Sequence, residues 1–129
     1  MLMNTIILCS GISVGIILFQ TAIIAPTVFK GFSTEQASPF LRLVFPKFFI
    51  LLALVGATKG ALSAHAGDTV QMAIGVLSAV LAIGCYLIIP NTNKARDEGN
   101  DKQFRWLHSV SVSMTLIILL AHAMSVAVS

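Results

Sequence analysis

Of the 129 residues, 57% are hydrophobic and only 10% charged, with a formal net charge of +3. Soluble domains carry roughly a quarter of their residues as charges, so an ordinary water-soluble globule is excluded. Disorder, a collagen-like fibre and a disulfide-stapled module are excluded as well, the last because the chain has only two cysteines. What remains is an integral membrane protein with a single domain, and the runs below make it an all-α membrane protein.

Charge-free runs place the spans. No charged side chain occurs from Met1 to Phe29, between Asp68 and Lys94, or from Trp106 to Ser129. Each run exceeds the ~20 apolar residues that cross a hydrocarbon core. A fourth run, from Pro46 to about Gly67, is interrupted only by Lys59. The prediction is a single domain over 1–129, a bundle of four transmembrane helices near 4–28, 46–66, 69–90 and 104–127. A β-barrel is disfavoured because apolar and polar residues do not alternate. The first run lacks a basic leader and is too long for a signal-peptide core, so it is expected to stay as a helix.

The first span contains Pro26, which is expected to bend or end it. In the first connection, Ser33 and Gln36 have capping-box spacing. A short interfacial helix carrying Phe40, Leu41 and Phe45 is expected before the second span, which Pro46 would open. Short connections make neighbouring spans antiparallel. Pro90 is expected to end the third span, with Asn91, Asn93 and Asp97 capping a polar turn.

Seven of the eight basic residues fall at the first and third connections. The positive-inside rule then puts both termini outside the cytoplasm, in a membrane of the bacterial inner type. The basic pI thus reflects topology; no stripe of basic and aromatic residues suggests nucleic acid.

Small residues mark packing faces. Gly11 with Gly15, and Gly56 with Gly60, have the G-xxx-G spacing that brings helix backbones together, within the chain or between copies. Cys9 and Cys85 should lie at different depths and form no disulfide.

Lys59 is the most informative polar residue. It sits roughly 20 Å from the inner boundary, counting ~1.5 Å per residue from Pro46. Either its stem snorkels to the outer headgroups, or it pairs with Asp68 or a ligand. Lys59, His65, Asp68 and His122 would share one level, and His65 with His122 forms a speculative metal site. On the fourth span His108, Ser111, Thr115, Leu119 and His122 share a face expected to point inward. His108 and His122 lie ~21 Å apart along that helix, so they cannot both ligate one haem within a single chain. At the inner rim, Arg42, Arg96, Arg105 and His108 could bind an anionic headgroup or a porphyrin carboxylate. Asn91, Asp97 and Glu35 would brace that rim.

The stretches APTVFKGFSTEQA, FPKFF, PNTNKARD and FRWLHSVS resemble a family of small four-helix membrane proteins of unknown function, the transmembrane-protein-205-like proteins. The resemblance runs from Pro26 to Ser111. It implies a four-helix bundle and supplies no reaction.

No nucleophile elbow, phosphate loop or zinc-ligand pair is present, so an enzyme is not expected. The leading expectation is a non-catalytic membrane protein acting through helix–helix association, as a homo-oligomer or an accessory subunit among lipids and other membrane proteins. The alternatives are a haem- or metal-binding protein and a small-solute or metal transporter.

Overall fold

A computed structural model describes all 129 residues and contains only helices. The first span is α1 (Leu2–Leu18), a π-helical segment (Phe19–Ile24) and α2 (Ala25–Gly31); then come α3 (Thr34–Ala66), α4 (Thr69–Asp97) and α5 (Asp101–Ala127). All four spans are long and apolar enough to cross a membrane. The chain is an integral membrane protein. Its outward-facing side chains agree: Leu8, Ile12, Leu54, Val80, Leu87 and Leu120 are exposed and form the surface that lipid would cover.

The spans pack in a closed ring, α1 against α3 and α5, and α4 against α3 and α5. The closest pair is α3 with α4, and glycines explain it. A Cβ on Gly75 would stand 2.5 Å from Gly60 N and 2.7 Å from Gly56 O. The Gly56/Gly60 motif therefore works within the chain. Gly11 and Gly15 are different: nothing lies within 4 Å of a Cβ at either position.

Two prolines behave differently from the sequence expectation, and a third, Pro26, lies in the first turn of α2 just after the π-helical segment. Ala25 donates its N–H to Gln20 O, a five-residue step, so the turn widens before the ring that lacks an N–H. Pro46 does not open the second span. The capping box does form at Ser33, with Gln36 N–H donating to Ser33 Oγ and Ser33 N–H donating to Gln36 Oε1. The helix it starts then runs without a break to Ala66, so the separate interfacial helix is corrected to an N-terminal extension of α3. Likewise α4 continues through Pro90 to Asp97, and Asn91 and Asn93 are helical residues, not turn caps. In both cases the proline removes one N–H bond and the helix continues through the gap, with no glycine close by to release the chain.

The tight turns are set by glycine. Gly67 (φ 74°) and Gly99 (φ 70°) adopt the left-handed conformation after α3 and α4. Asp68 N–H donates to Ser63 O and Asn100 N–H to Ala95 O, which closes each helix end. Asp68 and Asn100 then cap the next helix by accepting from Gln71 N–H and Gln103 N–H. Removing the α3 cap with Ser33→Ala should cost about 1 kcal/mol. Hydrogen exchange at residues 34–37 should accelerate while the apolar spans stay protected.

Candidate functional site

Two polar regions occupy the bundle at opposite ends. The first surrounds Lys59, whose side chain is 0% exposed. Its three donors are matched by three acceptors: Gln71 Oε1 at 2.6 Å, Ser125 Oγ at 3.1 Å and Ile6 O at 3.3 Å. Ser125 Oγ also donates to Gln71 Oε1 (2.6 Å) and accepts from Ser10 Oγ (3.1 Å). Ser10 Oγ in turn lies 2.9 Å from Nδ1 of His122, which is also 0% exposed. One residue or more from each of α1, α3, α4 and α5 thus joins a single hydrogen-bonded cluster.

This arrangement corrects two expectations. Lys59 does not snorkel, because the small residues around it let the stem run into the bundle, where a complete acceptor set replaces water. It does not bond Asp68, whose carboxylate caps α4. Of the four residues expected at one level, Lys59 and His122 share the cluster, while His65 is exposed at the end of α3. His65 is thus exposed while His122 is buried, and no group of three or more histidine, cysteine or carboxylate side chains gathers around either.

The second region is a cavity of about 740 Å³ at the end where α3 begins and α4 finishes. After the π segment, α2 touches α3 only slightly. The space left between α2 and the first half of α5 is the cavity. Phe29, Phe32, Val112 and Leu116 line it and are exposed. It is therefore open rather than sealed. Phe45, Phe48, Phe49 and Ile17 form the apolar back wall. Polar groups lie along one edge and at the base: Arg42, Asn93, Arg96 and His108, then Ser111, Thr115 and Gln20.

The charges are unequal. Arg42 is neutralised by a two-pronged bridge to Asp97, at 2.6 and 3.1 Å. This pair lies on the helical extensions beyond the apolar spans. Hydrogen bonding to the Arg42 guanidinium holds the Asp97 carboxyl below its ordinary range. The bridge is therefore complete above the ordinary carboxylate pKa and is lost only as pH falls through the lowered value. Arg96 has no carboxylate partner. Its guanidinium stands 4.5 Å above the Phe104 ring, and His108 stacks on the same ring at 5.7 Å. No Asp or Glu lines the cavity.

The structure brings some of the predicted rim residues together and leaves others apart. Arg42, Arg96 and His108 share the cavity edge, and the α5 face bearing Ser111 and Thr115 points inward as its spacing suggested. Arg105 is exposed and does not line the cavity. Asp97 braces Arg42, while Glu35 and Asn91 are exposed and Glu35 forms no ion pair. Cys9 and Cys85 are free and buried.

Sequence reasoning missed Gln20, Gln71, Ser10 and Ser125. The signal was present for the glutamines: each is an amide within a charge-free run, where hydrocarbon would leave it unsatisfied. Gln20 Nε2 remains buried without a partner.

No curated protein and no solved structure matches the chain. One family model does, across residues 8–101, a stretch holding Arg42, Lys59, Gln71 and Arg96. The chain belongs to the family described as a domain of unknown function (DUF4149).

Proposed function

We propose that the protein is a non-catalytic membrane binding protein that takes an amphipathic anion, an apolar chain carrying a phosphate or carboxylate, into the open cavity. The observation that carries this reading is Arg96: a cation with no carboxylate partner, held over Phe104 at the edge of an apolar cavity that contains no acid. An acyl chain entering between α2 and α5 would lie along Phe29, Phe45 and Leu116. Its acidic head would meet Arg96, with His108 and Asn93 beside it. Planar, forked donors suit phosphate and carboxylate equally. In this reading the cavity faces the cytoplasmic leaflet of a bacterial inner membrane, with both termini outside, as the basic connections suggest. The likeness to transmembrane-protein-205-like proteins belongs to the same proposal, since the residues that carry it surround this cavity. A porphyrin carboxylate is a member of the ligand class, with His108 near the same edge.

The test is native mass spectrometry of protein reconstituted in nanodiscs of phosphatidylglycerol, then of phosphatidylcholine. One phosphatidylglycerol should be retained per chain, and Arg96→Gln should weaken retention at least tenfold. A charge-assisted hydrogen bond of about 1.5–3 kcal/mol sets that expectation. Equal retention of both lipids, or no effect of Arg96→Gln, would refute the reading.

A second reading is supported by Gly11 and Gly15, a small-residue face that no helix of this chain covers. On that reading the protein acts through helix–helix association, as a homo-oligomer or an accessory subunit. Gly11→Leu with Gly15→Leu should then dissociate the assembly on size-exclusion chromatography without lowering the melting temperature of the protomer.

A further inference from the structure

The Lys59 cluster has a property that hydrogen-bond counting brings out. As an ammonium, Lys59 donates to Ile6 O, Gln71 Oε1 and Ser125 Oγ. As a neutral amine it keeps two N–H groups for Ile6 O and Gln71 Oε1. Its lone pair then accepts from Ser125, whose hydroxyl turns from Gln71 Oε1 toward Nζ. No heavy atom moves between the two states, and no donor is stranded in either. A lysine whose sole task is to staple four helices needs only one of them.

His122 extends the chain of hydroxyls. Hydroxyl protons rotate, and imidazole exists in two tautomers, so the Ser125–Ser10–His122 line can carry a proton either way. With both hydroxyls turned toward His122 and the ring in its Nε2–H form, a proton leaves Nζ for Ser125 Oγ. The Ser125 proton passes to Ser10 Oγ, and the Ser10 proton to Nδ1. The products are a neutral Lys59 and a His122 imidazolium, with charge and atoms conserved. Nε2 of His122 is buried and has no partner, so it is the free end of the line. One turn further in on α1, Ser13 Oγ is also buried and unpartnered, as is Gln20 Nε2 at the base of the cavity. Ile17, Leu52 and Ile118 belong to the buried apolar core of the bundle.

We infer that Lys59, Ser125, Ser10 and His122 form a proton-binding site inside the membrane, which holds one positive charge and passes it between lysine and histidine. The cluster contains no acid able to balance a second charge. The titratable groups facing Lys59 are Cys9 of α1, Asp68 at the head of α4 and His122 of α5. Cys9 is buried. Asp68 accepts the Gln71 N–H, keeps its negative charge and is the one carboxylate facing Lys59, enough to balance a single positive charge. Ionisable groups are retained within spans mostly where ions or protons move. This inference stands apart from the cavity reading and does not depend on its ligand.

The experiment is nitrogen-15 NMR of protein labelled at lysine and histidine, in nanodiscs, as a function of pH. In the wild type, Lys59 and His122 should never be charged together. In Lys59→Met, the proton affinity of His122 should rise at least tenfold, because the single charge then has only one place to reside. In Ser10→Ala, which keeps both ionisable groups, exchange of the Lys59 protons with solvent should slow at least tenfold. Simultaneous charging in the wild type would overturn the inference even if a variant failed to fold. A His122 titration unchanged within twofold in Lys59→Met, or unchanged exchange in Ser10→Ala, would reduce the cluster to a structural staple.

Discussion

Gly75→Ala is expected to destabilise the bundle by about 3 kcal/mol, the upper part of the range for overpacking a tight interior. The added methyl would stand 2.5 Å from Gly60 N and 2.7 Å from Gly56 O. Both obstacles are backbone, so no side chain can swing away, and α3 must separate from α4. Gly56→Ala meets Ala79 N at 2.9 Å and should follow the same direction. Gly11→Ala provides the contrast. Its Cβ meets nothing within 4 Å, and alanine is the better helix former by about 1 kcal/mol. Thermal unfolding in mild detergent, followed by circular dichroism, should show a fall for the first two and no fall for the third.

Gln71→Leu is the second large effect. It removes an acceptor at 2.6 Å from Lys59 Nζ and from Ser125 Oγ. A hydrogen bond from a charged donor contributes about 1.5–3 kcal/mol, which sets the expected loss. The double variant Lys59→Met with Gln71→Leu removes donor and acceptor together, and should recover most of that loss. Recovery would show that the cluster is kept at no great gain in stability, as expected of a functional group of residues. If the double variant were as unstable as the sum of the single ones, the cluster would be holding the helices together chiefly by its polar contacts.

The sequence was informative wherever lipid imposes a rule on composition. Three long charge-free runs and one with a lone lysine were enough for the four spans, because a charge in hydrocarbon is costly. The helix start at Ser33 follows from local chemistry that needs no partner, whereas the α4 end before Gly99 was not expected from the sequence. Prolines misled: Pro46 and Pro90 mark missing N–H bonds, and whether a helix continues through such a gap depends on the residues around it. The fate of Lys59 was not legible, since snorkelling and burial differ only in what stands opposite. The answer lay in Gln71, Ser125 and Ser10, which are distant in sequence or individually unremarkable. At the other end the arginines were visible, but their inequality was not. Asp97 neighbours Arg96 in sequence, yet it bonds Arg42, fifty-five residues away, and so leaves Arg96 free.

A density map of the protein purified in nanodiscs from its own membranes tests the cavity most directly. The expected result is an elongated apolar tail between α2 and α5, ending in an acidic group within hydrogen-bond distance of the Arg96 guanidinium. Phe29 and Leu116 packed against each other, with Arg96 turned away to a carboxylate of its own chain, would contradict it.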